Sequence, residues 1–114
     1  MQDDTLVEAL KALGHPLRLA IMRMLARGES NVGEIEEATG IGQPTLSQQL
    51  AILRKCELVA TRRQAKQVFY SLDGKATAAI VAALGALVPV AAAEVPPGER
   101  TPSPGVANFA RLSI

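Results

Sequence analysis

Asn31-Val32-Gly33-Glu34-Ile35-Glu36-Glu37-Ala38-Thr39-Gly40-Ile41-Gly42-Gln43-Pro44-Thr45-Leu46-Ser47-Gln48-Gln49-Leu50-Ala51-Ile52-Leu53 is the stretch that decides the fold. Asn31 suits the N-cap of a short helix running to about Thr39, with Val32, Ile35 and Ala38 turned inward. Gly40-Ile41-Gly42 reads as a tight turn, and Pro44 lies near the start of a second short helix. In that helix Leu46, Leu50 and Leu53 recur at i, i+4 and i+7 and so share one face. Two short helices joined by a glycine turn form the helix-turn-helix pattern.

Upstream, Leu6, Leu10 and Leu13 repeat the same spacing, with Val7 and Ala9 widening the stripe. Thr5 followed by Glu8 fits a capping box at the start of this first helix, and Gly14 ends it. Pro16 suits the first position of a second helix, where an N–H is not needed. That helix carries Leu17, Ala20, Ile21, Met24 and Leu25 on one side and stops at Gly28; His15 before it reads as a cap or turn residue. Downstream of Cys56-Glu57 the apolar period changes from about 3.6 residues to about 2. Leu58 to Arg62 and Gln67 to Leu72 read as two strands around a polar turn, Arg63-Gln64-Ala65-Lys66. The expected fold is mainly α with a small β-hairpin: a winged helix-turn-helix in the order α-α-α-α-β-β-α.

Residues 76–93 carry no charge and are rich in alanine. Gly85, Pro89 and the weak transfer energy of alanine argue against a membrane span. A helix apolar on all sides needs a cover, and a second copy of the chain supplies it more economically than this chain's own small core. From Val95 the composition shifts to Pro96, Pro97, Pro102 and Pro104, followed by Val106, Phe109, Leu112 and Ile114. The expected division is therefore a winged-helix and dimerisation domain over 1–94 and a Pro-rich tail over 95–114 that folds back on the dimer.

The 114 residues suffice for one domain and a short appendage. Met1-Gln2-Asp3-Asp4-Thr5 is acidic and does not read as a secretory signal, and a single cysteine, Cys56, forms no internal disulfide, so a reducing cytoplasm is expected. Phe69, Tyr70 and Phe109 are the only aromatic residues, too few for a base-stacking single-strand binder. Net charge is +1 overall but uneven: residues 1–40 sum to −3, residues 41–75 to +4 and residues 76–114 to zero. A basic segment inside a near-neutral chain suits a phosphate backbone.

The helix face opposite Leu46, Leu50 and Leu53 carries Pro44, Thr45, Gln48, Ala51, Ile52 and Lys55, with Ser47 and Gln49 at its margins. Small hydroxyls and amides on an exposed helix suit the edges of bases in a major groove. Gln43, Thr45, Ser47 and Gln48 are the expected groove readers; Arg62, Arg63 and Lys66 on the hairpin are expected at the flanking phosphates, with Gln64 near its tip.

From Leu6 to Leu72, about 60% of the chain, the sequence resembles the ArsR/SmtB family of winged-helix bacterial regulators. The matching phrases are Ala9-Leu10-Lys11-Ala12-Leu13-Gly14-His15-Pro16-Leu17-Arg18-Leu19, Val32-Gly33-Glu34-Ile35, Gln43 through Arg54, and Val68-Phe69-Tyr70-Ser71-Leu72. The resemblance implies a homodimer built on the first and last helices, repression relieved by an effector, and recognition of an inverted repeat in double-stranded DNA. It also marks departures. Metal-sensing members carry cysteines on the helix before the turn or His and carboxylates on the last helix; Asn31–Glu37 has no Cys and residues 74–93 have no His, Asp or Glu, so no metal site is expected. Thiol-sensing members pair two cysteines, one on the second helix, where Arg23 stands here. Gln49 stands where many members have His.

No cofactor and no catalysis are expected. Nothing ties Cys56 to His15 as a nucleophile and its base, Gly40-Ile41-Gly42 follows a helix and lacks the third glycine of a dinucleotide loop, and Glu36 and Glu37 point to different sides of their helix. Cys56, after two basic residues and between reading helix and wing, is a candidate redox residue set against the plainer role of a small apolar residue ending a helix. The effector is left open between a small molecule and a redox signal. The competing function is a winged-helix protein-interaction module without specific DNA binding, which would have no use for Arg62, Arg63 and Lys66 on its wing.

Overall fold

The computed structural model describes residues 1–89, and the order of elements follows from local signals along them. Helix α1 spans Asp3–Leu13 and α2 spans Pro16–Leu25. A two-residue strand β1, Ser30–Asn31, leads into α3, Val32–Thr39, and α4 spans Thr45–Lys55. Strands β2, Val59–Gln64, and β3, Gln67–Leu72, form the hairpin, and α5 spans Gly74–Gly85. Contacts divide the chain into a unit Met1–Ala83 and a second unit Leu84–Ile114. Of the second unit the described part is the end of α5 and a turn closed by Leu87 N–H to Leu84 C=O and Val88 N–H to Gly85 C=O. The 94/95 boundary, the end of the uncharged run and the expected fold-back of the tail lie outside the described residues.

The caps explain the boundaries. His15 caps α2 by accepting from the Leu17 N–H at 3.1 Å, with Pro16 at the first turn as the sequence predicts. Asn31 and Glu34 form a complete capping box on α3, Oδ1 accepting from the Glu34 N–H at 2.8 Å and Oε1 from the Asn31 N–H at 2.9 Å. Gly40, at φ +74°, closes α3 in the left-handed conformation that suits glycine. Helix α4 ends in a Schellman motif: Leu58 N–H reaches Leu53 C=O at 3.0 Å and Glu57 N–H reaches Arg54 C=O at 2.9 Å. Asp73 accepts from the Ala76 N–H at 3.0 Å and caps α5.

Several expectations need correction. The Thr5–Glu8 box does not form; α1 starts three residues earlier, with Gln2 at the N-cap and Asp3 and Asp4 in the first turn, where carboxylates complement the helix dipole. Ala38 is exposed because α3 is too short to bury a third turn, leaving Ile35 as its buried residue. On α2 the spacing misses Met22, which is buried, while Met24 packs against the core and stays partly open. The hairpin loop is Ala65–Lys66 only, so Arg63 and Gln64 belong to β2, with Gln64 opposite Gln67. The sheet has a third strand: β1 pairs antiparallel with β3, Ser30 opposite Tyr70 and Asn31 opposite Phe69, in the order β1-β3-β2. Two residues give no period to read, so this strand was invisible to patterning. Helix α5 ends at Gly85, inside the uncharged run.

The core of the first unit gathers Ile21, Leu25, Ile35, Leu46, Leu50 and Leu53, each nearly or fully excluded from solvent. Leu58 and Ile80 close it from the wing and from α5. Each fully buried leucine contributes about 1.5–3 kcal/mol relative to exposure, so the leucine stripe of α4 is what clamps that helix to the body. On α1 the deeply buried residues are Ala9 and Ala12; Leu6, Leu10 and Leu13 pack against the core while staying partly open. Among the described residues no helix is long and apolar enough to cross a membrane.

Candidate nucleic-acid interface

With Leu46, Leu50 and Leu53 facing the core, α4 turns Pro44, Thr45, Ser47, Gln48, Ala51, Ile52, Arg54 and Lys55 outward, all exposed. This is the face expected from spacing, and it brings Thr45, Ser47 and Gln48 together with Gln43 at its head. Ser47 Oγ donates to Gln43 Oε1 at 2.7 Å, which joins these two side chains as one polar ledge. Gln49 belongs elsewhere. It is half-buried and its Oε1 accepts from Arg18 Nη1 at 2.8 Å, while Arg18 Nε donates to the Ala12 carbonyl at 2.6 Å. Arg18 thus ties the end of α1 to α4, a link that spacing within one helix does not reveal.

The wing presents Arg62, Arg63, Gln64 and Lys66, all exposed. They are not equivalent. Arg62 pairs with Glu29, Nη2 to Oε1 at 2.7 Å, and Nε bridges both carboxylate oxygens at 2.9 and 2.8 Å. Its Nη1 donates to Gln64 Oε1 at 2.8 Å and its Cζ stacks 4.9 Å from the Phe69 ring centre. The hydrogen bond to Glu29 leads the causes that raise the Arg62 pKa above its ordinary value, so this guanidinium stays charged and engaged. Arg63 and Lys66 have no carboxylate partner among the described residues and remain available to a polyanion. Asn31 reaches the other side of the hairpin, donating to Gln67 Oε1 at 3.4 Å, and so couples the α3 cap to the wing.

Cys56 is a half-buried thiol at the C-cap of α4. Among the described residues no three His, Cys, Asp or Glu converge on one point. The arrangement offers hydrogen-bonding groups on the exposed face of a helix whose other face is packed on the core, beside a hairpin with uncompensated cations. Such a helix fits a major groove, and the hairpin fits the flanking backbone.

Comparison with known proteins places this geometry. Residues 15–61 match the model of the bacterial regulatory protein, arsR family. The chain is similar to the biofilm growth-associated repressor of Xylella fastidiosa, 53% identical over 75 residues, a match spanning 66% of each protein. The crystal structure of the transcriptional repressor BigR from Xylella fastidiosa superposes with a TM-score of 0.62 at 46% identity, covering 76% of this chain and 89% of that one. A homodimeric winged helix-turn-helix DNA-binding domain from Mycobacterium bovis, solved by NMR, matches with a TM-score of 0.64 at 31% identity over 76% of this chain and 86% of that one. Sharing the fold and this level of identity with these regulators, the chain belongs to the ArsR family of bacterial regulatory proteins.

Proposed function

We propose that this chain is a transcriptional repressor that binds double-stranded DNA sequence-specifically, as a homodimer on an inverted repeat, and is released by an effector. The observation that carries it is the outward, uncharged polar face of α4 beside free cations on the wing. Gln43, Thr45, Ser47 and Gln48 read base edges; Arg63 and Lys66 meet phosphates, and Arg62 with Gln64 shapes the hairpin between them. Dimerisation is supported by apolar surface that one copy leaves uncovered. Helix α1 exposes Val7 at 47%, and α5 exposes Val81 at 69% while burying Ile80 alone. The Mycobacterium bovis relative is described as homodimeric. Action on DNA places the chain in the cytoplasm, without a catalytic step or cofactor.

The effector is a small molecule or a redox signal, and Cys56 is the residue through which a redox signal would act. A Cys56→Ser variant that binds DNA and answers peroxide as the parent does removes that branch. The main test is fluorescence anisotropy on DNA from upstream of the chain's own gene, at two salt concentrations, with random DNA as control. Tight, salt-sensitive binding selective over the control is expected. Equal weak binding to both would favour a protein-interaction module instead.

A further inference from the structure

Arg54 and Lys55 stand at the C-terminal end of α4, and neither is among the contacts expected from sequence. Ser47, Ala51 and Arg54 follow one another at i, i+4 and i+7 along one flank of the helix. Across from them stands Tyr70, on the central strand β3 and opposite Thr61. Between helix and strand lies an open cleft of about 440 Å³ lined by Ser47, Ala51, Arg54, Lys55 and Tyr70.

The charge of this cleft is one-sided. No carboxylate lines it, and among the described residues no ion pair engages Arg54 or Lys55. The carboxylates near this end of α4, Asp4, Glu8 and Glu57, line a separate groove that shares only Lys55 with the cleft. Arg54 is therefore the cleft's undivided cation, and Lys55 is shared. Because Ser47 Oγ already donates to Gln43, the remaining side-chain donors are Arg54, Lys55 and Tyr70. Two cations and a phenol around an open, acid-free recess suit an oxyanion.

The position selects which oxyanion. A helix in the major groove has a phosphodiester strand along each edge, and a wing beside it lies across one of those strands. The cleft is the gap between that helix and that wing. We propose that it is a phosphate seat in which the DNA backbone crosses from α4 to the hairpin, held mainly by Arg54 with Lys55 and Tyr70 in support. The proposal rests on the reading of this chain as a DNA-binding repressor.

The test uses the full chain and a duplex selected from a random pool by the parent protein, with unselected duplex as control, titrated from about 50 to about 200 mM salt. Arg54→Ala should weaken both duplexes by the same factor and lower the log–log salt slope by about 1. Over that salt range the variant should then lose about 3.5-fold less affinity than the parent. Arg54→Lys should keep the slope, and Tyr70→Phe should weaken both duplexes without changing it. An Arg54→Ala protein with parental melting, affinity and slope overturns the phosphate seat, as does a loss confined to the selected duplex. If Arg54→Ala melts early, Arg54→Gln is read by the same slope. A parent that binds neither duplex overturns the repressor reading itself, which separates the two failures.

Discussion

Arg62 of the wing and Glu29, just ahead of β1, are locked in a two-pronged ion pair, with Nη2 and Nε of the guanidinium within 2.7–2.9 Å of the carboxylate. The pair joins the sheet's two edges, since β1 and β2 flank β3 on opposite sides. A guanidinium so engaged is partly neutralised toward a polyanion, so the wing's effective charge rests on Arg63 and Lys66.

Breaking that pair should therefore strengthen nonspecific binding. Glu29→Gln keeps the size of the side chain and releases the Arg62 charge, and the salt slope on random DNA should steepen by about 1. Arg63→Ala should do the opposite, lowering the slope by about 1 and weakening all sequences alike. An unchanged slope for Glu29→Gln would mean that the carboxylate does not compete with phosphate. The measurement is anisotropy against salt for the two variants side by side.

Arg18 carries a second, more structural prediction. Its guanidinium makes charge-assisted hydrogen bonds to the Ala12 carbonyl at the end of α1 and to Gln49 on α4. Removing a hydrogen-bonded charged group from a half-buried site costs about 2 kcal/mol. Arg18→Ala should lower stability in urea by about that much, and Gln49→Ala by about 1 kcal/mol, with losses that do not add in the double variant. Additive losses would show that the two side chains are not energetically coupled.

The residues that sequence placed correctly are those whose signal is periodic or local. The stripe Leu46–Leu50–Leu53, the cap at Asn31 and the proline at the start of α2 each depend on neighbours within a few positions, and each appears as expected. What escaped is what depends on distant partners. Arg62 with Glu29, Arg18 with Gln49 and Asn31 with Gln67 are pairs 31 to 36 residues apart, and no spacing rule on one element links them. The same reason hid β1, which is a strand only because β3 lies beside it. So the face of α4 was legible from sequence, whereas the division of labour among its polar residues was not.

Two backbone positions predict gains in stability. Glu57 sits at φ +58° as the left-handed residue of the Schellman motif that ends α4, and Ala65 sits at φ +56° in the two-residue hairpin loop. A side chain in that region is disfavoured by about 1–2 kcal/mol relative to its preferred conformations, and glycine avoids the penalty. Allowing for the larger unfolded-state entropy of glycine, Glu57→Gly and Ala65→Gly should each raise stability by about 0.5–1 kcal/mol. Thermal melts of the two variants check this, and a lower melting temperature for either would show that the native backbone at that site is not left-handed. Binding should be unaffected by Glu57→Gly, whose side chain lies outside the basic cleft.

The last prediction follows from counting which amides are already spent. Five glutamines lie between positions 43 and 67. Gln43 accepts from Ser47, Gln49 from Arg18, Gln64 from Arg62 and Gln67 from Asn31. Gln48 alone, exposed in the middle of the outward face of α4, has no side-chain hydrogen bond among the described residues. An amide with both ends unspent can bridge N6 and N7 of adenine, a pairing worth about 1–3 kcal/mol of discrimination against a wrong base. Gln48→Ala should therefore relax selectivity at one position in each half-site by about five- to 160-fold, with the salt slope unchanged. Gln43→Ala should relax it less, because its carbonyl end is already held by Ser47. Selection from a random pool with each variant reads this directly, and a parental base profile for Gln48→Ala would mean that α4 meets DNA through a different face.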